Sequence, residues 1–191
     1  MKIYPNLTIV VAMTHSRIFG DAATNTLPWK ARLPGDLPWF KRWTTGGHLI
    51  VGRRTWESLP GLLPHRGISV VTSKPETLEA ISGSSIQASG RYIFADGGSA
   101  SVGRVCHSAI GALNEIDPDT PVFAAGGSGI YQRLLPHAQS MLVTWVGDRH
   151  LREGIDPVYF PTSCWGRWDS EFDMMDEENE LQFCVYRRSG V

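Results

Sequence analysis

The sequence predicts an α/β protein: a mostly parallel central sheet, antiparallel strands at its C-terminal edge, and helices on both faces. Two observations carry this. The first two thirds alternate short, nearly continuous apolar runs, the pattern of strands buried on both faces, with segments of helical spacing. Residues 171–187 then read as two alternating strands, a hairpin over the turn at 177–180. A chain of 191 residues can bury a proper core, and a single domain over residues 1–191 is expected. Hydrophobic and charged contents of 42% and 19% are those of an ordinary soluble protein. A net charge of −1 gives no electrostatic reason to expect a nucleic-acid or membrane partner. No run is long enough to span a bilayer, and the N-terminus lacks the apolar core of a signal peptide. Cys106, Cys164 and Cys184 are widely spaced, form no metal or redox motif, and point to a reducing cytoplasm; no metal is expected.

In chain order, residues 7–13 are apolar and β-branched, a buried strand. Residues 14–26 read as a long loop broken by Gly20 and leading into Leu27-Pro28-Trp29. A helix starts around Asp36, where Pro34 and Pro38 are tolerable only in its first turn, and stops at Gly46-Gly47. Three- and four-residue spacing puts Leu37, Phe40 and Trp43 or Thr44 on its inward stripe. A strand at 48–52 ends in Gly52 and runs into Arg53-Arg54-Thr55, with Thr55 as the expected N-cap. Strands follow at 68–72, 92–95, 120–125 and 141–146, with helices at 106–114 and from the glycine run to residue 135.

In sheets of this kind ligands bind beyond the carboxyl ends of the strands, where the chemically distinctive residues fall. Asp36 is the one acidic residue in a stretch containing Leu33, Trp29, Trp39 and Trp43. A carboxylate there is costly without a hydrogen-bonding partner, although a helix cap explains it as simply. Arg53, Arg54, Thr55, Thr72 and Ser73 offer cations and hydroxyls beside helix starts, suited to phosphate oxygens; the arginine pair alone would equally suit a solvated face. Residues 126–129 let a backbone approach a pyrophosphate, yet the run is not a GxGxxG fingerprint and also reads as a tight turn. Arg66 is either a carboxylate clamp or an exposed cation.

Together, Leu33-Pro-Gly-Asp-Leu-Pro-Trp-Phe-Lys41, Val51-Gly-Arg-Arg-Thr-Trp-Glu-Ser58, Leu63-Pro-His-Arg66 and Gly126-Gly-Ser-Gly-Ile-Tyr131 resemble the dihydrofolate reductase family, in order from about residue 7 to residue 160. The resemblance implies a dihydrofolate reductase-like fold and NADPH-dependent reduction of dihydrofolate, by hydride transfer to C6 and protonation of N5, in a cytoplasmic monomer that also binds antifolates such as trimethoprim or methotrexate. It implies catalytic roles for Asp36, Leu27, Trp29, Tyr131 and Thr144, with Asp36 holding the pterin and Thr144 supporting it. The substrate pocket would comprise Val10, Val11, Leu37, Phe40, Lys41, Leu63 and Arg66, the last pairing with the glutamate carboxylate. NADPH would lie along Ala12, Ile18, Phe19, Gly20, Gly52, Arg53, Arg54, Thr55, Val71, Thr72, Ser73, Ala125, Gly126, Gly127, Ser128, Gly129, Ile130 and Tyr131. Arg53 and Ser73 would take the 2′-phosphate, and residues 20–27 would close over the nicotinamide. The chain departs from the family at Ser128, a usual glycine, and at Ala125 and Phe19, usually larger aliphatic and aliphatic respectively, which would reshape the antifolate pocket. Loop 20–27 is longer than in the commonest bacterial forms, and residues 96–105 do not align. Two other readings are the related pyrimidine reductase of riboflavin synthesis, which would not carry the 36–41 signature with Arg66, and a non-catalytic folate-binding relative.

Overall fold

The computed structural model describes residues 2–96, 101–162 and 167–190, so Cys164 and residues 97–100 lie outside the described residues. The strands are β1 (Tyr4–Thr14), β2 (Ile18–Asp21), β3 (His48–Gly52), β4 (Gly67–Val71), β5 (Ser84–Ile86), β6 (Tyr92–Ala95), β7 (Ser101–Cys106), β8 (Val122–Ala124), β9 (Ala138–Val146), β10 (Pro157–Tyr159), β11 (Trp168–Asp176) and β12 (Leu181–Arg188). The α-helices are α1 (Asp36–Thr44), α2 (Arg53–Glu57), α3 (Ala109–Asn114) and α4 (Ser128–Leu134). Ten strands form one sheet in the order β11-β12-β9-β1-β8-β3-β4-β7-β6-β5, while β2 and β10 pair separately. The centre from β9 to β7 is parallel and both margins are antiparallel, so the expected C-terminal edge is matched by a second one at β6 and β5.

The sheet separates two apolar cores. Leu7, Ile9, Val11 and Met13 of β1 face α3 and α4. Val10 and Ala12 face the opposite way, toward Trp39 of α1 and Trp56 of α2. Helices therefore cover both faces, as the apolar runs require.

Several boundaries differ from the sequence expectation. The 14–26 segment is not all loop, because β2 lies within it and pairs antiparallel with β10. Cys106 ends a strand; the helix expected from there begins at Ala109, where the Ser108 hydroxyl caps it by accepting from the Gly111 N–H at 2.9 Å. Thr55 is not an N-cap, since β3 passes directly into α2 through Gly52. On α1 the inward residues are Trp39 and Thr44, whereas Leu37 and Trp43 are 43% and 40% exposed. Trp39 sets that face by packing its ring 5.3 Å from Phe183. The outer strand β11 alternates acidic residues with exposed Phe172, Met174 and Met175, charges that guard an open sheet edge against self-pairing.

Gly47, between α1 and β3, has no room for a side chain: a Cβ there would lie 2.7 Å from both the Phe123 ring and the Pro121 carbonyl oxygen. Gly47→Ala is expected to destabilise the protein by about 1–3 kcal/mol, seen as a fall in Tm; an unchanged Tm would show that the β3–β8 end yields freely.

Candidate active site

The ends of β12, β9 and β1 form a floor in which Phe183, Thr144 and Ala12 are paired neighbours. The first turn of α1 sits on this floor. Gly35 enters it with φ +81°, and a Cβ there would be 3.2 Å from the Phe183 ring, so both conformation and space call for glycine. The next residue, Asp36, is partly buried, and the Thr144 hydroxyl donates to its Oδ1 at 2.8 Å. Burial pushes the Asp36 carboxyl above the ordinary value of 3.8 and outweighs the opposing hydrogen bond. Asp36 therefore begins the helix and meets Thr144 on the sheet face whose apolar core includes Val10, Phe40 and Leu63. Trp29 is buried there too, and its indole N–H meets no acceptor among the described residues.

Further along the same side of the sheet, β8, β3, β4 and β7 end side by side around a cavity of about 380 Å³. It is lined by Gly52, Arg53, Arg54 and Thr55 after β3, Val71, Thr72 and Ser73 after β4, His107 after β7, and Gly127, Ser128, Gly129, Ile130 and Arg133 at α4. Gly126 adopts φ +100°, and a Cβ on it would lie 3.2 Å from the Tyr131 hydroxyl oxygen. Tyr131 is buried, donates to the Val10 carbonyl at 2.8 Å, and has its phenol pushed well up by burial and then by the Asp36 charge.

The segment over the cleft is stitched to residues 148–157. The Asp21 carboxylate accepts from the Ala23 and Asp156 N–H groups, the Thr24 hydroxyl and the Arg152 guanidinium, at 2.9–3.1 Å. Arg152 also donates to Thr24, Thr26 and the Leu27 carbonyl. Burial pushes the Asp21 carboxyl up, but the Thr24, Asp156 and Ala23 hydrogen bonds and the Arg152 charge bring it below its ordinary range.

The sequence-predicted residues divide accordingly. Asp36 and Thr144 meet at the floor; Val10, Phe40 and Leu63 belong to the apolar core on that face, with Ala12 in β1 and Ala125 packed against it. Arg66 is half-buried, donates to the Thr44 hydroxyl at 3.1 Å, and lies 5.9 Å from the Phe40 ring centre. Lys41, Leu37 and Leu27 are exposed. Ile18 and Gly20 lie in β2 against β10. One expectation is corrected: the Val11 side chain points into the opposite core, so it cannot wall the pocket beside Val10; Phe19 is buried in that core too, edge-on to Tyr131 and Phe160. His107 and Arg133 were not anticipated. Each is exposed and outside any motif; the only signal was position, just after a strand and one turn beyond Gly129.

A family model described as dihydrofolate reductase matches residues 6–96. The dihydrofolate reductase of Bacillus subtilis (strain 168) is 30% identical over 191 residues, covering 96% of this chain and 95% of that protein. That of Haemophilus influenzae is 28% identical over 187 residues, covering 95% and 98%. In fold, the chain is similar to a dihydrofolate reductase from Enterococcus faecalis complexed with NADP(H) and RAB-propyl, with a TM-score of 0.70 and 24% identity, over 98% of this chain and 99% of that one.

Because the Asp36 pKa is raised on folding, the ionised carboxylate costs stability at neutral pH, and this cost falls away as pH drops through the folded pKa toward 3.8. Asp36→Asn is thus expected to raise Tm at pH 7, with the gain vanishing in acid; an equal or lower Tm at pH 7 would mean the carboxylate is net stabilising. Asp21→Ala should speed hydrogen exchange at the Ala22, Ala23 and Asp156 amides while the β1 and β9 amides keep their protection. Unchanged exchange would assign the loop's anchoring to β2–β10 pairing alone.

Proposed function

The chain belongs to the dihydrofolate reductase family and reduces 7,8-dihydrofolate to 5,6,7,8-tetrahydrofolate with NADPH; we propose that Asp36, fixed by Thr144, supports the proton side of that reaction. The observation that carries the proposal is the Thr144–Asp36 hydrogen bond, which holds a carboxylate on the sheet face that carries this apolar core. NADPH, when bound, supplies the hydride that goes to C6 of the pterin. N5 must then gain a proton. Asp36 accepts hydrogen bonds from the pterin amino group and ring nitrogen, and its raised proton affinity favours protonation at N5. Val10, Phe40 and Leu63 keep water from the ring, and the buried Trp29 N–H adds a donor on the same side. Arg66, steadied by Thr44 and Phe40, is set to pair with the glutamate carboxylate.

The residues around the second cavity fit NADPH. Cations and hydroxyls from three strand ends converge there, and Gly126, at φ +100° and with a Cβ position 3.2 Å from the Tyr131 hydroxyl, keeps the backbone bare of a side chain. Arg54, Thr55 and Thr72 would bind phosphate oxygens, while residues 126–129 would lie against the pyrophosphate. Residues 20–27, held by Asp21 and Arg152, would shield the reacting rings. On the same basis residues 1–191 act as one catalytic domain, as a monomer in a reducing cytoplasm, with antifolates of the trimethoprim or methotrexate kind taking the Asp36 pocket and with no nucleic-acid or membrane partner. Among the described residues no helix is long and apolar enough to cross a membrane.

Asp36→Asn should fold yet lose about 10²-fold or more of its turnover at pH 7, with partial recovery in acid where the substrate arrives protonated. The fall in NADPH absorbance on adding dihydrofolate measures this. Near-parental rates at pH 7 would overturn the role given to Asp36.

A further inference from the structure

We infer that the outer edge of β11 is a docking surface for an extended basic segment of another protein, added to the sheet as a further strand. β11 ends the ten-strand order and pairs on one side only, with β12. That pairing slips once, between Ser170 and Phe172, and then runs unbroken from Phe172 opposite Val185 to Asp176 opposite Leu181. Along this regular stretch the far side of β11 presents backbone N–H and C=O groups that an incoming strand can pair with. The sheet's other margin, β5, is three residues long and is blunted by its shortness, whereas β11 has nine.

The side chains of β11 define what such a strand must carry. Phe172, Met174 and Met175 are 45%, 46% and 57% exposed. Phe172 stacks on Trp39 of α1 with ring centres 6.0 Å apart, and Met174 and Met175 line a cavity of about 700 Å³ with Trp39 and Phe183. Trp39 is itself only 9% exposed, and its indole N–H meets no acceptor among the described residues. Asp176, Glu177 and Glu178 line the same cavity, against a single cation, Arg42. Of the seven acidic residues within 169–180, only Glu171 and Glu180 have ion-pair partners among the described residues, Arg187 and Arg149. Asp169, Asp173, Asp176, Glu177 and Glu178 have none. A second copy of this chain would set acid against acid along the edge. A strand with lysine or arginine between apolar residues meets both features at once, its cations at the unpaired carboxylates and its apolar side chains against Phe172 and Met174. The charges that keep the edge from pairing with itself thus also choose its partner.

The test is fluorescence anisotropy of a dye-labelled peptide of alternating lysine and valine, titrated with the full chain at physiological ionic strength. The parental chain should bind it saturably. Combining Asp173→Asn, Glu177→Gln and Glu178→Gln should weaken binding by about tenfold or more, and Met174→Ser alone by about threefold, with circular dichroism spectra matching the parental one. The same peptide N-methylated at alternate residues keeps its charge but cannot pair as a strand, and should not bind. Equal binding of the methylated peptide would reduce the attraction to bulk charge and overturn strand addition. Unchanged affinity in either variant, or failure of the parental chain to bind the lysine–valine peptide, would overturn the inference as well.

Discussion

The hydrogen bond from Thr144 to Asp36 is the constraint around which the cleft is built. A carboxylate set among tryptophan, phenylalanine and leucine side chains is unfavourable unless a donor meets it. Thr144 can be that donor because its strand lies between two others: β1 fixes it on one side and β12 on the other. The helix bearing Asp36 is placed by the same strands, through Gly35 against Phe183 and through Trp39 in the core below. Moving any of these would leave the carboxylate without its donor, or the donor without its strand.

The back of the sheet supports this arrangement. Tyr131, Phe19 and Phe160 form an aromatic group on the α3–α4 side, and the Tyr131 hydroxyl reaches the Val10 carbonyl of β1. One core thus steadies the backbone of the strand whose other face walls the cleft. Phe19 is absorbed into that rear core.

Much of this was legible in the sequence, for identifiable reasons. Asp36 stood out because a lone acid between prolines and tryptophans conflicts with its surroundings, and the central strands because their apolar runs are long. Where the sequence misled, long-range structure decides. A strand buried on both faces shows no alternation, so nothing local tells Val10 from Val11. Four-residue β2 and three-residue β10 are too short to carry a pattern, and they exist through pairing with each other. Asp21 and Arg152 are 131 residues apart, and no local signal links them. The inner face of α1 followed Trp39 because Phe183, far along the chain, offers it a surface.

The acidic hairpin has a bearing on how ligands arrive. Seven of the nineteen acidic residues fall within residues 169–180, where there is no lysine or arginine, leaving twelve elsewhere against all eighteen basic residues. The near-neutral total therefore conceals a polarised molecule, negative along β11 and positive over the remainder. In the sheet β3 is five strands from β11, about 24 Å at the usual interstrand spacing, some three Debye lengths at physiological salt. The hairpin's field is largely screened at the cavity lined by Arg53, Arg54 and Arg133, and an anionic ligand approaching that cavity meets a surface of opposite sign. The encounter of such a ligand with the protein should accordingly quicken as ionic strength falls, in a chain whose overall charge would suggest indifference to salt.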